Sequence, residues 1–214
     1  RLPSEAEAAF HAATTLDPND PFPWIGLGNL LAEQPERTDE DEAAYRRAIE
    51  LDSTYAAPWN GLGNLLAEQP ERANEAEAAY RKAIEIDPTY AFPWNNLGLL
   101  LAEQPERADE AEAAYRKATE IDPTDAFPWN GLGNLLAKQP EHTDEAEVAY
   151  RRAIELDSTY ATPWNGLGNL LSHQPEHADE AEAAYHRAIE LDPEYGIAHG
   201  NLGRLLLDRG DLEA

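Results

Sequence analysis

The 214-residue chain contains no cysteine, which excludes disulfides, thiolate nucleophiles and cysteine-ligated zinc. It contains no methionine either, not even at position 1. Lysine is confined to Lys82, Lys117 and Lys138, and 16 basic residues stand against 42 acidic ones, a net charge of −26. Nucleic-acid binding needs Lys and Arg to neutralise phosphates, so this balance argues against a nucleic-acid partner. It equally disfavours an anionic membrane surface. No apolar run approaches the ~20 residues of a membrane-spanning helix, and no signal peptide is present. The expected setting is cytoplasmic. Most of the acids fall where an exposed helix face would put them, so solubility is their simplest role.

What the chain does have is a repeat. The stretch from Pro128-Trp129 through Asn130-Gly131-Leu132-Gly133-Asn134 returns at Pro23-Trp24, Pro58-Trp59, Pro93-Trp94 and Pro163-Trp164, always 35 residues apart. All five tryptophans occupy this slot, and a last copy has Ala198-His199 instead. A fixed period between about 20 and 50 residues marks stacked units, each of which contacts only its neighbours. The chain starts at Arg1 and stops at Ala214, both partway through a unit, and therefore reads as a piece of a longer protein.

Within one period, Ala111, Tyr115 and Ala118 follow the i, i+4, i+7 spacing of one helix face, with Arg116 and Glu120 expected to pair on the other. Ser4 with Glu7 forms a capping box, and the repeat predicts the same device at Asp39/Glu42, Asn74/Glu77, Asp109/Glu112, Asp144/Glu147 and Asp179/Glu182. Asp122-Pro123 ends this helix. A second helix follows, with proline in its first turn and Trp129, Leu132 and Leu136 on one face; it closes at Gln139-Pro140. The mid-helix Gly131 and Gly133 do not form a phosphate loop, since no strand precedes them and the third glycine is missing. Their expected role is close helix approach, and the tryptophans' is packing. The result is all-α: a leading helix at 4–17, helix pairs at about 20–52, 55–87, 90–122, 125–157 and 160–192, and a trailing helix at about 195–209.

Trp94, Leu97-Gly98, Ala111, Tyr115, Ala118 and Asp122-Pro123, repeated along nearly the whole chain, resemble the tetratricopeptide repeat. That resemblance implies an α-solenoid of antiparallel helix pairs wound as a right-handed superhelix, whose Trp-type helices line a concave, peptide-holding groove. The usual period is about 34 residues. The extra residue here lies in the turn within the pair, where Gln-Pro-Glu replaces the family's glycine, and Asp41 stands where the other units have alanine. The pentatricopeptide family shares the 35-residue period but lacks the Trp-Leu-Gly pattern and binds RNA, which the charge opposes.

Two groove slots lie one helical turn apart. The residue after Trp is Asn60, Asn95, Asn130 or Asn165, with Ile25 and Gly200 at the ends; five after Trp come Asn29, Asn64, Leu99, Asn134, Asn169 and Arg204. With Asn96, these amides are expected to form a ladder that grips the backbone of an extended protein segment, since an amide both donates and accepts. The family member that glycosylates nuclear and cytosolic proteins is similar in carrying such a ladder. Some relatives grip a terminal carboxylate with lysine beside the asparagine; no lysine stands here. Glu33, Glu68 and Glu103 favour a neutral or basic segment instead. His142, His173 and His177 are weak candidates for a metal, and neither metal nor cofactor is expected. No catalytic constellation stands out, so the expectation is a non-enzymatic binding module, the sensor or scaffold arm of a larger signalling protein. The alternative is an assembly solenoid without a groove ligand. In it the tail face of His199, Leu202 and Leu206 docks weakly on the head face of Ala6, Phe10 and Ala13.

Overall fold

A computed structural model describes residues 4–210. They divide into two compact units, one ending at Gln104 and the other starting at Pro105. The first holds α1 (Glu5–Leu16), α2 (Phe22–Leu31), α3 (Thr38–Leu51), α4 (Ala56–Ala67), α5 (Ala73–Ile86) and α6 (Ala91–Ala102). The second holds α7 (Ala108–Ile121), α8 (Ala126–Leu136), α9 (Thr143–Leu156), α10 (Ala161–Leu171), α11 (Ala178–Leu191) and α12 (Gly196–Arg209). No strand occurs among the described residues. Within each unit, every helix packs on its neighbour in the chain. The Trp-type helices also touch one another, α2 on α4 and α4 on α6, then α8 on α10 and α10 on α12. This is the α-solenoid arrangement.

Each core is built on tyrosine wedged into glycine. Tyr45 is buried between Gly28 of its own helix pair and Gly61 of the next; a Cβ at either would come within 2.6 and 2.5 Å of its ring. In the second unit Tyr150 sits in the same way between Gly133 and Gly166. Glycine costs a helix interior about 1 kcal/mol against alanine, and here that cost permits an aromatic ring to fill the seam between two pairs. Leu27, Leu66, Leu136 and Leu171 are fully buried around it, as are the first-turn prolines Pro58, Pro128 and Pro163. A proline there loses no hydrogen bond, because the first N–H groups of a helix have no partner to lose.

The tryptophans are half-buried rather than central. The indole N–H groups of Trp59, Trp94 and Trp164 donate to the carbonyls of Ser53, Pro88 and Ser158, six residues back. They latch the helix start to the preceding turn. His199 replaces the tryptophan and keeps the latch, its Nε2 lying 3.0 Å from the Pro193 carbonyl. The turn itself is closed by aspartate: Asp52 accepts from both the N–H and the hydroxyl of Thr54, which holds its carboxyl below its ordinary pKa.

Three local expectations are corrected. The capping box forms at Ser4, whose hydroxyl accepts from the Glu7 N–H, but not at the five later sites. There a 3-10 turn such as Pro35–Arg37 runs straight into the α-helix, which begins two residues early and leaves Asp39 and its equivalents inside the first turn. Their acids still favour the helix N-terminus through its dipole. Arg116 pairs with Glu112, not Glu120, because helical side chains lean toward the N-terminus; Glu120 takes Lys117 instead. At the tail, Leu202 is buried and Leu206 half-buried, so neither belongs to an exposed face. Among the described residues, the open face of α12 carries Gly203, where an added Cβ would meet nothing within 4 Å, and Leu207.

Candidate functional site

The two asparagine slots separate in the structure. Asn29, Asn64 and Asn134, five residues after Trp, are exposed. Each accepts at Oδ1 from the hydroxyl of the tyrosine sixteen residues on: Asn29 from Tyr45 at 2.8 Å, Asn64 from Tyr80 at 3.1 Å, Asn134 from Tyr150 at 2.9 Å. Burial pushes all three phenols up from their ordinary pKa, so they remain donors at any physiological pH. With Oδ1 committed, the amide has one orientation, and its Nδ2 is left as an exposed donor without a partner among the described residues.

The slot directly after Trp lies deeper. Asn60 and Asn130 are buried, at 8% and 6% exposure, so neither forms an open rung, a correction to the expected two-row ladder. The cause is the next Trp-type helix, which closes over them. Asn130 donates to the Tyr160 hydroxyl at 3.3 Å. Asn60 accepts from Nδ2 of Asn96 at 3.2 Å, and Asn165 accepts from Asn201 at 3.0 Å. Asn96 and Asn201 stand where other units have Gly61, Gly131 and Gly166, and they stitch neighbouring helices together by amide pairs. Asn96 also donates to Asn64 at 2.8 Å and accepts from Asn95 at 3.2 Å. Asn169 accepts from Arg204.

In the first unit, α4 and α6 enclose an open cavity of about 370 Å³. It gathers Asn64, Asn96, Glu68 and Glu103 from the expected site, together with Tyr80, Ala67, Leu99 and Leu100. Leu99 is 59% exposed, an apolar side chain in the slot that holds asparagine elsewhere. Glu33 is exposed and does not line this cavity.

The histidines are not gathered. His142 lies 3.2 Å from Glu145 and His177 3.6 Å from Glu180, each beside the helix that follows its own turn, while Nδ1 of His173 bonds the Asn169 carbonyl. Among the described residues no three His, Cys, Asp or Glu side chains come together as a metal site. No helix there is long and apolar enough to cross a membrane.

Sequence reasoning missed three features. The tyrosines were legible as core residues, but a buried phenol also needs a hydrogen-bond partner, and that requirement was the available signal. Asn201 could have been found as the equivalent of Asn96. Asp41 is fully buried with both carboxylate oxygens unpartnered, and burial, then the charges of Glu68 and Glu42, push it up to about 7.

Helix pairs packed in register, with a tyrosine seated on two glycines and a Trp latch, define a helical-repeat protein. The chain belongs to the tetratricopeptide repeat family: models described as tetratricopeptide repeat match residues 56–90, 79–113 and 164–214. Among solved structures it is similar to YrrB, described as a TPR protein with an unusual peptide-binding site. Identity is 26%, coverage is 91% of this chain and 98% of that one, and the TM-score is 0.66. It is similar in fold to TTC0263, a thermophilic TPR protein of Thermus thermophilus, at 20% identity, 87% and 99% coverage and TM-score 0.68. A chain of the APC/C hetero-tetramer Cut9-Hcn1 gives 16% identity and TM-score 0.79 over 94% of this chain and 39% of that one. No curated protein sequence matches the chain.

Proposed function

We propose that the chain is a protein-binding repeat module that grips an extended segment through the carbonyl groups of its backbone. The observation that carries this reading is the tyrosine-to-asparagine hydrogen bond, which presets Asn29, Asn64 and Asn134 as outward donors. A donor set oriented before binding loses little rotamer freedom on contact, and one that reads only backbone tolerates many side chains. The similarity to YrrB, described as a TPR protein with a peptide-binding site, supports it. The charge of −26 favours a neutral or basic segment. In this reading the array is non-catalytic and cytoplasmic, and serves as the sensor or scaffold arm of a larger signalling protein.

The test is a displayed library of random peptides, followed by affinity measurement of the tightest binder against Asn29→Asp/Asn64→Asp/Asn134→Asp. Aspartate keeps the tyrosine bond but replaces each outward N–H by an oxygen. Loss of at least about tenfold at unchanged helicity is expected, against the added negative charge that would attract a basic peptide. Unchanged affinity would sink the donor reading.

The second reading, end-to-end assembly, has one observation in its favour. Phe10 of α1 fills the seat at Gly26 as a tyrosine does elsewhere, and among the described residues nothing fills the seat at Gly203. A second copy's Phe10 would fit it. Light scattering across protein and salt concentration decides: association that rises with salt supports it, and a strict monomer removes it.

A further inference from the structure

The cavity between α4 and α6 combines three features. Leu99 replaces the asparagine donor and presents an exposed apolar surface continuous with Leu100. Glu68 and Glu103, one from each helix end, line the same cavity, and neither has an ion-pair partner among the described residues. Elsewhere in the unit, by contrast, Glu75 holds Arg72, Glu85 holds Lys82 and Glu50 holds Arg47. Finally, the oxygens of both amides in the cavity are committed. Asn64 Oδ1 accepts from Tyr80 and Asn96, and Asn96 Oδ1 accepts from Asn95.

We propose that this cavity is a side-chain pocket for a single long cationic residue, arginine or lysine, of a bound peptide. It rests on the peptide-binding reading above and adds a specificity determinant to it. Division of labour follows from the chemistry. The strongest acceptors lining the cavity are the two carboxylates, so a cationic head goes between Glu68 and Glu103. The apolar stem of the same side chain lies on Leu99 and Leu100, as the methylenes of Arg and Lys cover apolar surface while the charge stays wet. Nδ2 of Asn64, the remaining donor, takes the carbonyl of the peptide at that position. An acidic side chain finds no donor beyond that amide and meets two negative charges. A short polar one leaves Leu99 uncovered. About 370 Å³ is room enough for such a side chain.

The experiment uses the full chain and three fluorescein-labelled alanine-serine peptides, identical except for one central residue: arginine, lysine or citrulline. Citrulline keeps the length and shape of arginine without the charge. A fourth measurement follows the Leu99 methyl signals by NMR during titration to millimolar peptide. The expected result is saturable binding of the arginine and lysine peptides with Leu99 shifts, and a loss of about fivefold or more with citrulline. Glu68→Gln/Glu103→Gln is expected to abolish the preference. Glu71→Gln/Glu106→Gln, which removes the same charge from exposed turns, is expected to leave it intact, so general attraction to an acidic protein is separated from the pocket. Leu99→Asn should weaken the cationic peptides while sparing the charge preference. Equal binding of citrulline, or equal loss in both glutamine pairs, overturns the pocket. So does the absence of Leu99 shifts at saturation. If all three peptides bind equally and Asn64→Asp weakens them, the backbone reading stands and only the pocket falls. If no peptide binds, both fall.

Discussion

The hydroxyl of Tyr45 donates to Oδ1 of Asn29 at 2.8 Å, joining the buried seam of the repeat to its exposed face. One side chain thus packs against Gly28 and Gly61 at its ring and orients a surface amide at its tip. On the peptide-binding reading proposed above, structure and recognition share the residue.

Tyr45→Phe, Tyr80→Phe and Tyr150→Phe should therefore each cost only modest stability and together weaken binding. Each loses one hydrogen bond, worth about 1 kcal/mol, while the ring stays in its seat. Freed of the tyrosine, the amides can turn over, and the triple variant should bind a selected peptide several-fold more weakly. Urea melts and fluorescence titration check both halves. Equal peptide affinity in the triple variant would show that the amides need no orienting.

Asp41 predicts an unusual pH dependence. Its carboxyl is pushed up to about 7 in the folded chain, above its ordinary value in the unfolded one. The folded state therefore binds the extra proton between those two values. Stability from this group is lowest above pH 7 and recovers as pH falls toward the ordinary aspartate range. Asp41→Ala, which installs the residue found at Ala76 and Ala111, should stabilise the chain by about 2–4 kcal/mol near pH 8 and by much less near pH 5. Thermal melts of both proteins at both pH values test it. A destabilised variant, or a gain independent of pH, would contradict the assignment.

Glu42 has the opposite sign. Arg72 grips it with two hydrogen bonds at 2.6 and 2.9 Å and holds its carboxyl down to about 2. Its contribution is complete above the ordinary glutamate pKa and is lost as pH falls toward 2. In the first unit Arg37 clamps Glu7 in the same way, at 2.7 Å, but two equivalent turns of the second unit carry His142 and His177. His142→Arg and His177→Arg should each let the turn reach Glu112 or Glu147 and add about 0.5–1 kcal/mol. Melts at low and high salt measure the gain, which should shrink with salt. No gain at low salt would mean that Arg116 and Arg151 already saturate those acids.

The helices and their pairing were legible because the 35-residue period places tryptophan, paired glycines and tyrosine at fixed offsets. What stayed hidden depends on a second helix arriving. The burial of Asn60 and Asn130 is set by the helix that covers them, and the failure of the Asp39 capping box is set by a 3-10 turn feeding the helix from the preceding proline. Likewise, Leu99 read as a gap in a ladder, and only the placement of Glu68 and Glu103 beside it made a cavity.

The glycines give the sharpest test, because one substitution should have opposite signs at two places in the same motif. Gly28 and Gly203 are equivalent in the repeat and both lie inside helices. Alanine is the better helix former at each by about 1 kcal/mol. At Gly28 the new methyl would lie 2.6 Å from the Tyr45 ring, which is buried and has no room to retreat, so the overpacking should outweigh propensity by about 1–3 kcal/mol. At Gly203 the methyl would meet nothing within 4 Å, leaving only the propensity gain of up to about 1 kcal/mol. Gly28→Ala is thus expected to lower the melting temperature and Gly203→Ala to raise it, with helical circular dichroism unchanged in both at low temperature. If copies associate through the open seat at Gly203, the same alanine should also weaken that association, which light scattering at high salt would register. Stabilisation by Gly28→Ala would mean that tyrosine does not depend on the glycine seat, and the account of the core would fail with it.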